Sequence, residues 1–131
     1  MKRLPFLLIL LIAAVSACAR ASDAPASDDV NITLQLLPEP AVVGEATVIV
    51  TLADAVGNPI EDATVHVKGD MNHAGMVPVL AEADQGLGGM YEMPFEWTMG
   101  GSWIVTVEAT LADGTTATRR FDVSVGMPAS Q

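Results

Sequence analysis

The chain has 131 residues, with six Lys plus Arg against sixteen Asp plus Glu and a formal net charge of −10. That size fits one domain, and a composition that is 50% hydrophobic can fill a core. The acid excess excludes a phosphate-neutralising basic face, so nucleic acid is not an expected partner. The single cysteine, Cys18, excludes an intrachain disulfide and any Cys-rich zinc or iron–sulfur centre, which leaves His, Met and carboxylates as ligands.

Lys2 and Arg3 precede an apolar run from Leu4 to Ala17. At about 1.5 Å per residue this run falls short of a ~30 Å hydrocarbon core, so residues 1–17 are expected to be a cleaved signal peptide. The run closes Val15-Ser16-Ala17-Cys18, which resembles the lipobox of bacterial lipoproteins, where cleavage precedes the cysteine and that residue is acylated. The resemblance implies a chain working outside the cytoplasm and anchored to a bacterial membrane through Cys18. The plainer alternative is an ordinary signal peptide with an incidental cysteine. Residues 18–29 then comprise the lipidated Cys18 and a tether. Ala19 to Asp29 lack large apolar side chains and cannot bury enough surface to order themselves. Fully extended, they reach at most ~36 Å. Ala19 after the cysteine resembles lipoproteins sent to the outer membrane, facing the periplasm, in a cell with two membranes.

From Val30 onward short apolar alternations are broken by Gly, Pro, Asp and Asn, with no sustained helical period, so residues 30–126 are expected to be all β. Val30, Ile32, Leu34 and Leu36 form one face of a first strand, which Pro38 and Pro40 stop. Ala46, Val48, Val50 and Leu52 form the inward face of a second. A turn over Asp54 to Pro59 leads to a third through Ala63, Val65 and Val67. A fourth, short strand is expected at Val77 to Ala83. After the Gly86 to Gly89 turn, Tyr91, Met93, Phe95, Trp97 and Met99 share one parity. Gly100-Gly101 leads into Trp103, Val105, Val107, Ala109 and Leu111, and Asp113-Gly114 is a hairpin dipeptide before Ala117, Phe121, Val123 and Val125. Seven short antiparallel strands in about a hundred residues point to an immunoglobulin-like β-sandwich without its disulfide. Residues 127–131 remain as a tail.

The residues best suited to chemistry are thioethers. Six methionines follow Cys18: Met71, Met76, Met90, Met93, Met99 and Met127. Met71-Asn72-His73-Ala74-Gly75-Met76 gathers two thioethers and an imidazole in a predicted loop bounded by Gly69 and Pro78. Thioether sulfur is a soft, neutral ligand that prefers Cu(I), and imidazole also suits copper, whereas carboxylates suit Ca²⁺ or Mg²⁺. Outside the cytoplasm methionine also avoids disulfide formation and needs no deprotonation to bind. Met93 and Met99 share the parity of Phe95 and Trp97, so packing is the default for both. His66 falls on the outward parity of its strand, as a surface histidine.

Consecutive antiparallel strands put alternate loops at the same pole of a sandwich. The loop holding Met71, His73 and Met76 then shares a pole with the turn that begins at Met99, and Met90 lies at the other. The expected site is therefore Cu(I) held by Met71, His73 and Met76, with Met99 as a fourth ligand and Trp103 as an apolar screen. Protonation of His73 in acid would weaken such a site.

The order Gly57-Asn58-Pro59-Ile60, Ala63-Thr64-Val65, Met71-x-His73, Gly89-Met90-Tyr91, Met99-Gly-Gly-x-Trp103 and Phe121-x-Val123 resembles the YtkA-like domain, which is related to FixH-like proteins. The resemblance spans roughly residues 30–126. It implies a small extracytoplasmic β-sandwich, often membrane-anchored, associated with copper handling or with supplying copper to a respiratory oxidase. Met76 and the doubled glycine after Met99 are read from this sequence alone.

Other classes fit less well. A blue-copper carrier needs a cysteine thiolate, and the only cysteine here is spent on the lipid anchor. No nucleophile-turn motif such as G-x-S-x-G accompanies His66 or His73, and Glu92 and Glu96 are better explained as acids on a solvated sheet face than as a glycosidase pair. No enzyme activity or small-molecule substrate is expected. The rival is a metal-free adaptor that docks an envelope protein through the Met71 to Met76 loop, since methionine-rich surfaces bind partners.

Overall fold

The computed structural model describes residues 29–73 and 75–129. The expected signal peptide, Cys18 and the part of the expected tether before Asp29 lie outside them, as does Ala74. Seven strands follow in chain order: β1 (Asn31–Leu37), β2 (Gly44–Ala53), β3 (Thr64–Met71), β4 (Val79–Ala83), β5 (Met90–Trp97), β6 (Gly101–Thr110) and β7 (Thr116–Val125). They build the immunoglobulin-like sandwich that the alternation predicts, with sheet β1-β2-β5 against sheet β4-β3-β6-β7 and every pairing antiparallel. β4 pairs with β3, with Gly69 opposite Val79 and Val65 opposite Ala83, as a hairpin closed by loop 72–78. It starts two residues later than expected because Pro78 cannot donate to the ladder; Val77, just before it, is exposed.

Burial follows the period of two. In β5, Tyr91, Met93, Phe95 and Trp97 are buried while Met90, Glu92, Pro94 and Glu96 are exposed, so both glutamates sit on the solvated face. Across the core stand Val65, Val67 and Met71 of β3 and Trp103, Val105, Val107 and Ala109 of β6. Phe95, Trp97 and Trp103 stack edge-on, with centroids 4.8 Å and 5.2 Å apart. A glycine on the inward face of β3 makes room for them: a Cβ on Gly69 would lie 2.7 Å from Phe95 Cζ.

Polar groups tie the connections down. Tyr91 is fully buried; its hydroxyl donates to Ile60 O at 2.8 Å and accepts from Ala63 N at 3.0 Å, and burial pushes its ionisation up. Asp54 Oδ1 accepts the N–H groups of Val56 and Asn58, both at 2.9 Å, which hold its carboxyl below the ordinary range, the Asn58 contacts most strongly. Arg119 has the same parity as Ala117 and Phe121 but lies at the open edge, where Nη1 donates to Ile32 O at 2.9 Å and the guanidinium sits 5.1 Å from the Phe121 ring centre.

Register also fixes the poles. Gly44 is opposite Trp97, Met71 opposite Trp103, and Gly101 opposite Val125. Turn 38–43, loop 72–78, turn 98–100 and the chain after Val125 therefore share one pole, and Met90 stands at the other, as strand counting predicts.

Candidate functional site: a methionine pole

The shared pole is where the thioethers collect, each set by the strand that ends or begins there. β3 keeps Val65, Val67, Gly69 and Met71 on one parity, so the register that buries its valines also turns Met71 inward. Met71 is 7% exposed and lies opposite Trp103. Its ε-methyl lies 2.9 Å from where a Cβ on Gly101 would stand, so it occupies room that the missing side chain leaves. Met71 thus borders the site from below, as part of the core, rather than from an open loop.

Loop 72–78 carries the other two members of the predicted motif. His73 is exposed, and Met76 is half-buried, packed against the edge of the core. Gly75, with φ of +83°, takes a backbone conformation that side-chain-bearing residues rarely adopt. His73 and Met76 thus share the pole with Met71 without joining it in the core.

Met99 departs from its expected packing role. It has the parity of Met93, Phe95 and Trp97, but β5 ends at Trp97 and Met99 falls in the turn, 52% exposed. Met93, inside the strand, is buried as parity requires. The turn is held from beneath: Trp103 Nε1 donates to Met99 O at 2.9 Å. Trp103 is buried, and stacks on Trp97, so the predicted apolar screen lies under the turn. Trp97 Nε1, also buried, has no hydrogen-bond partner.

A fourth thioether, Met127, was not among the predicted ligands. Gly126 N donates to Ala41 O and Val43 N donates to Gly126 O, both at 2.9 Å, and Val42 and Gly126 form a parallel bridge. This brings Met127 back over the 98–100 turn, with its sulfur 3.2 Å from where a Cβ on Gly100 would stand. β7 must run back to this pole, but the bonds that carry Met127 over the turn are long-range, so local alternation does not signal it.

Met71 and Met127 therefore reach two consecutive glycines, Gly101 and Gly100, which follow the exposed Met99 in the turn, with His73 and Met76 on the adjoining loop. The donors are soft and uncharged, a set that fits Cu(I) better than a hard cation. Among the described residues no three His, Cys, Asp or Glu side chains come together as a metal site. His66 lies on the outer sheet face, with Nδ1 3.6 Å from Glu82 Oε2, away from the pole.

The YtkA-like family model matches residues 25–108, ending within β6, so the Phe121-x-Val123 element of the resemblance lies beyond the match. No curated protein sequence matches the chain. Among solved structures it is similar to a superoxide reductase (neelaredoxin) from Ignicoccus hospitalis, at 12% identity over 71% of this chain and 79% of that one, with a TM-score of 0.51. It is also similar to the PmoD soluble domain from Methylocystis, at 14% identity over 74% and 90%, with a TM-score of 0.46. Murine CRIg aligns at 14% identity over 76% and 99%, with a TM-score of 0.43. At such identities the likeness concerns the fold.

Proposed function

We propose, for this chain, which belongs to the YtkA-like family, a role as an extracytoplasmic Cu(I)-binding protein that holds the ion at its methionine pole and passes it on. The observation that carries this reading is that Met71 reaches Gly101 in the turn that Met99 opens, with His73 and Met76 on the adjoining loop of the same pole. Neutral thioethers bind Cu(I) without losing a proton, and donors at a surface pole let the ion enter and leave. Transfer or buffering suits such a site better than turnover, and a copper-accepting respiratory protein is the partner that the family resemblance implies.

A competition titration against a chromophoric Cu(I) chelator tests this. The wild-type chain should take up about one equivalent, and the combined Met71→Leu, His73→Ala, Met76→Leu and Met99→Leu variant should bind about a hundredfold more weakly or not at all, with an unchanged circular dichroism spectrum. Equal affinity in the two proteins would remove these donors from the reading. The exposed Val77, Leu80 and Met99 favour a second reading, an adaptor surface, which predicts no metal uptake and loss of an envelope partner instead.

The lipobox-like Val15-Ser16-Ala17-Cys18 supports anchoring at a bacterial membrane, at the outer membrane facing the periplasm where two membranes are present. Cys18→Ser should abolish incorporation of a labelled fatty acid and release the chain from the membrane fraction. Undiminished labelling of that variant would rule out Cys18 as the anchor.

A further inference from the structure

We infer that Met127, in the C-terminal tail, is a ligand of the same site and closes it over the Gly100–Gly101 turn; this rests on the Cu(I) reading above. Three observations carry it. First, the tail is brought to the pole by its backbone: the bonds from Gly126 N to Ala41 O and from Val43 N to Gly126 O order residue 126 without help from the next side chain. Pro128 restricts Met127 itself to extended conformations, which narrows where its side chain can reach.

Second, Met127 is placed as a donor and not as packing. It is 73% exposed, an apolar side chain left largely in water, with its sulfur 3.2 Å and its Cγ 3.8 Å from where a Cβ on Gly100 would stand. A methionine serving only to fill space would bury its methylenes and methyl, as Met93 does at 1% exposure. Third, the neighbours are of the same chemical kind. Met99 directly precedes Gly100, and Met71 reaches the adjacent Gly101 from the core side. Two residues without side chains thus separate three thioethers that come from β3, the β5–β6 turn and the tail. Side chains on Gly100 and Gly101 would meet the thioethers of Met127 and Met71. A soft monovalent ion is the ligand class that such a trio recognises, because each sulfur is neutral and none can balance a more highly charged cation.

The test is a Cu(I) competition titration on the full chain, purified in detergent, comparing wild type with Met127→Leu, a chain ending at Gly126, and Met90→Leu as a control from the opposite pole. Leucine keeps the bulk of methionine and removes the sulfur. Met127→Leu and the shortened chain should each bind Cu(I) about tenfold or more weakly, while Met90→Leu matches wild type. Sulfur-edge absorption should show one fewer copper–sulfur contact in Met127→Leu. Wild-type affinity in both tail variants would overturn the role of Met127 and leave the pole reading in place. No Cu(I) uptake by the wild-type chain would overturn both.

Discussion

Trp103→Ala should destabilise the domain by about 3–5 kcal/mol, a large share of the ~5–15 kcal/mol that holds a typical domain together. The residue is 1% exposed, stacks edge-on against Trp97 at 5.2 Å and lies beside Gly69, where a Cβ would stand 3.3 Å from Trp103 Cε3. Removing the indole leaves a cavity walled by two sheets whose backbones are fixed by their ladders and can close on it only partly. It also removes the donor to Met99 O, so the turn that carries Met99 loses its support from below. Trp103→Phe separates the two effects: it keeps a ring in the core but has no N–H. That variant should be less destabilised than Trp103→Ala while still showing faster hydrogen exchange in the 98–101 turn. Urea unfolding followed by circular dichroism gives the stabilities. A loss within ~1 kcal/mol for Trp103→Ala would mean that the aromatic layer is not the rigid floor of the pole.

The strands were legible in the sequence because alternation of apolar and polar residues is a local property, and in β5 it runs unbroken from Tyr91 to Trp97. Even the shared pole could be read, since it requires only that antiparallel strands be counted. What alternation does not encode is where a strand stops. Met99 continues the parity of Trp97, but the chain turns at Thr98, so a residue with a core pattern ends in solvent. The start of β4 shifts for a related reason, the missing N–H of Pro78. Met71 is the reverse case. Its place beside a polar loop drew attention to His73, whereas its parity with Val65 and Val67 places it in the core. Met127 was hidden because its position depends on backbone bonds to Ala41 and Val43, more than eighty residues away, which no local pattern reports. The division of seven strands into sheets of three and four is likewise a long-range outcome, set by which edge β4 finds.

The doubled glycine links the fold to the proposed site, and its two members should respond differently to the same added methyl group. Gly101 has φ of +132°, a region costly to any residue with a Cβ, and the added carbon would stand 2.9 Å from the Met71 ε-methyl. Gly101→Ala should therefore cost about 1–3 kcal/mol in backbone strain, with the clash in addition, and should push Met71 off the turn. Gly100 has no such backbone constraint, and its nearest obstacle is the Met127 sulfur at 3.2 Å, the far part of an exposed and flexible side chain. Gly100→Ala should leave stability within about 0.5 kcal/mol, as for most surface changes, because the thioether can swing aside. Combining Gly101→Ala with Met71→Ala distinguishes clash from strain: relief of the clash appears as a coupling of about 0.5–3 kcal/mol between the two substitutions, while the strain at φ persists. Thermal or urea unfolding of the four proteins measures this directly. If Gly101→Ala were as stable as wild type, the turn would have room for a side chain, and Met71 would not be held against it.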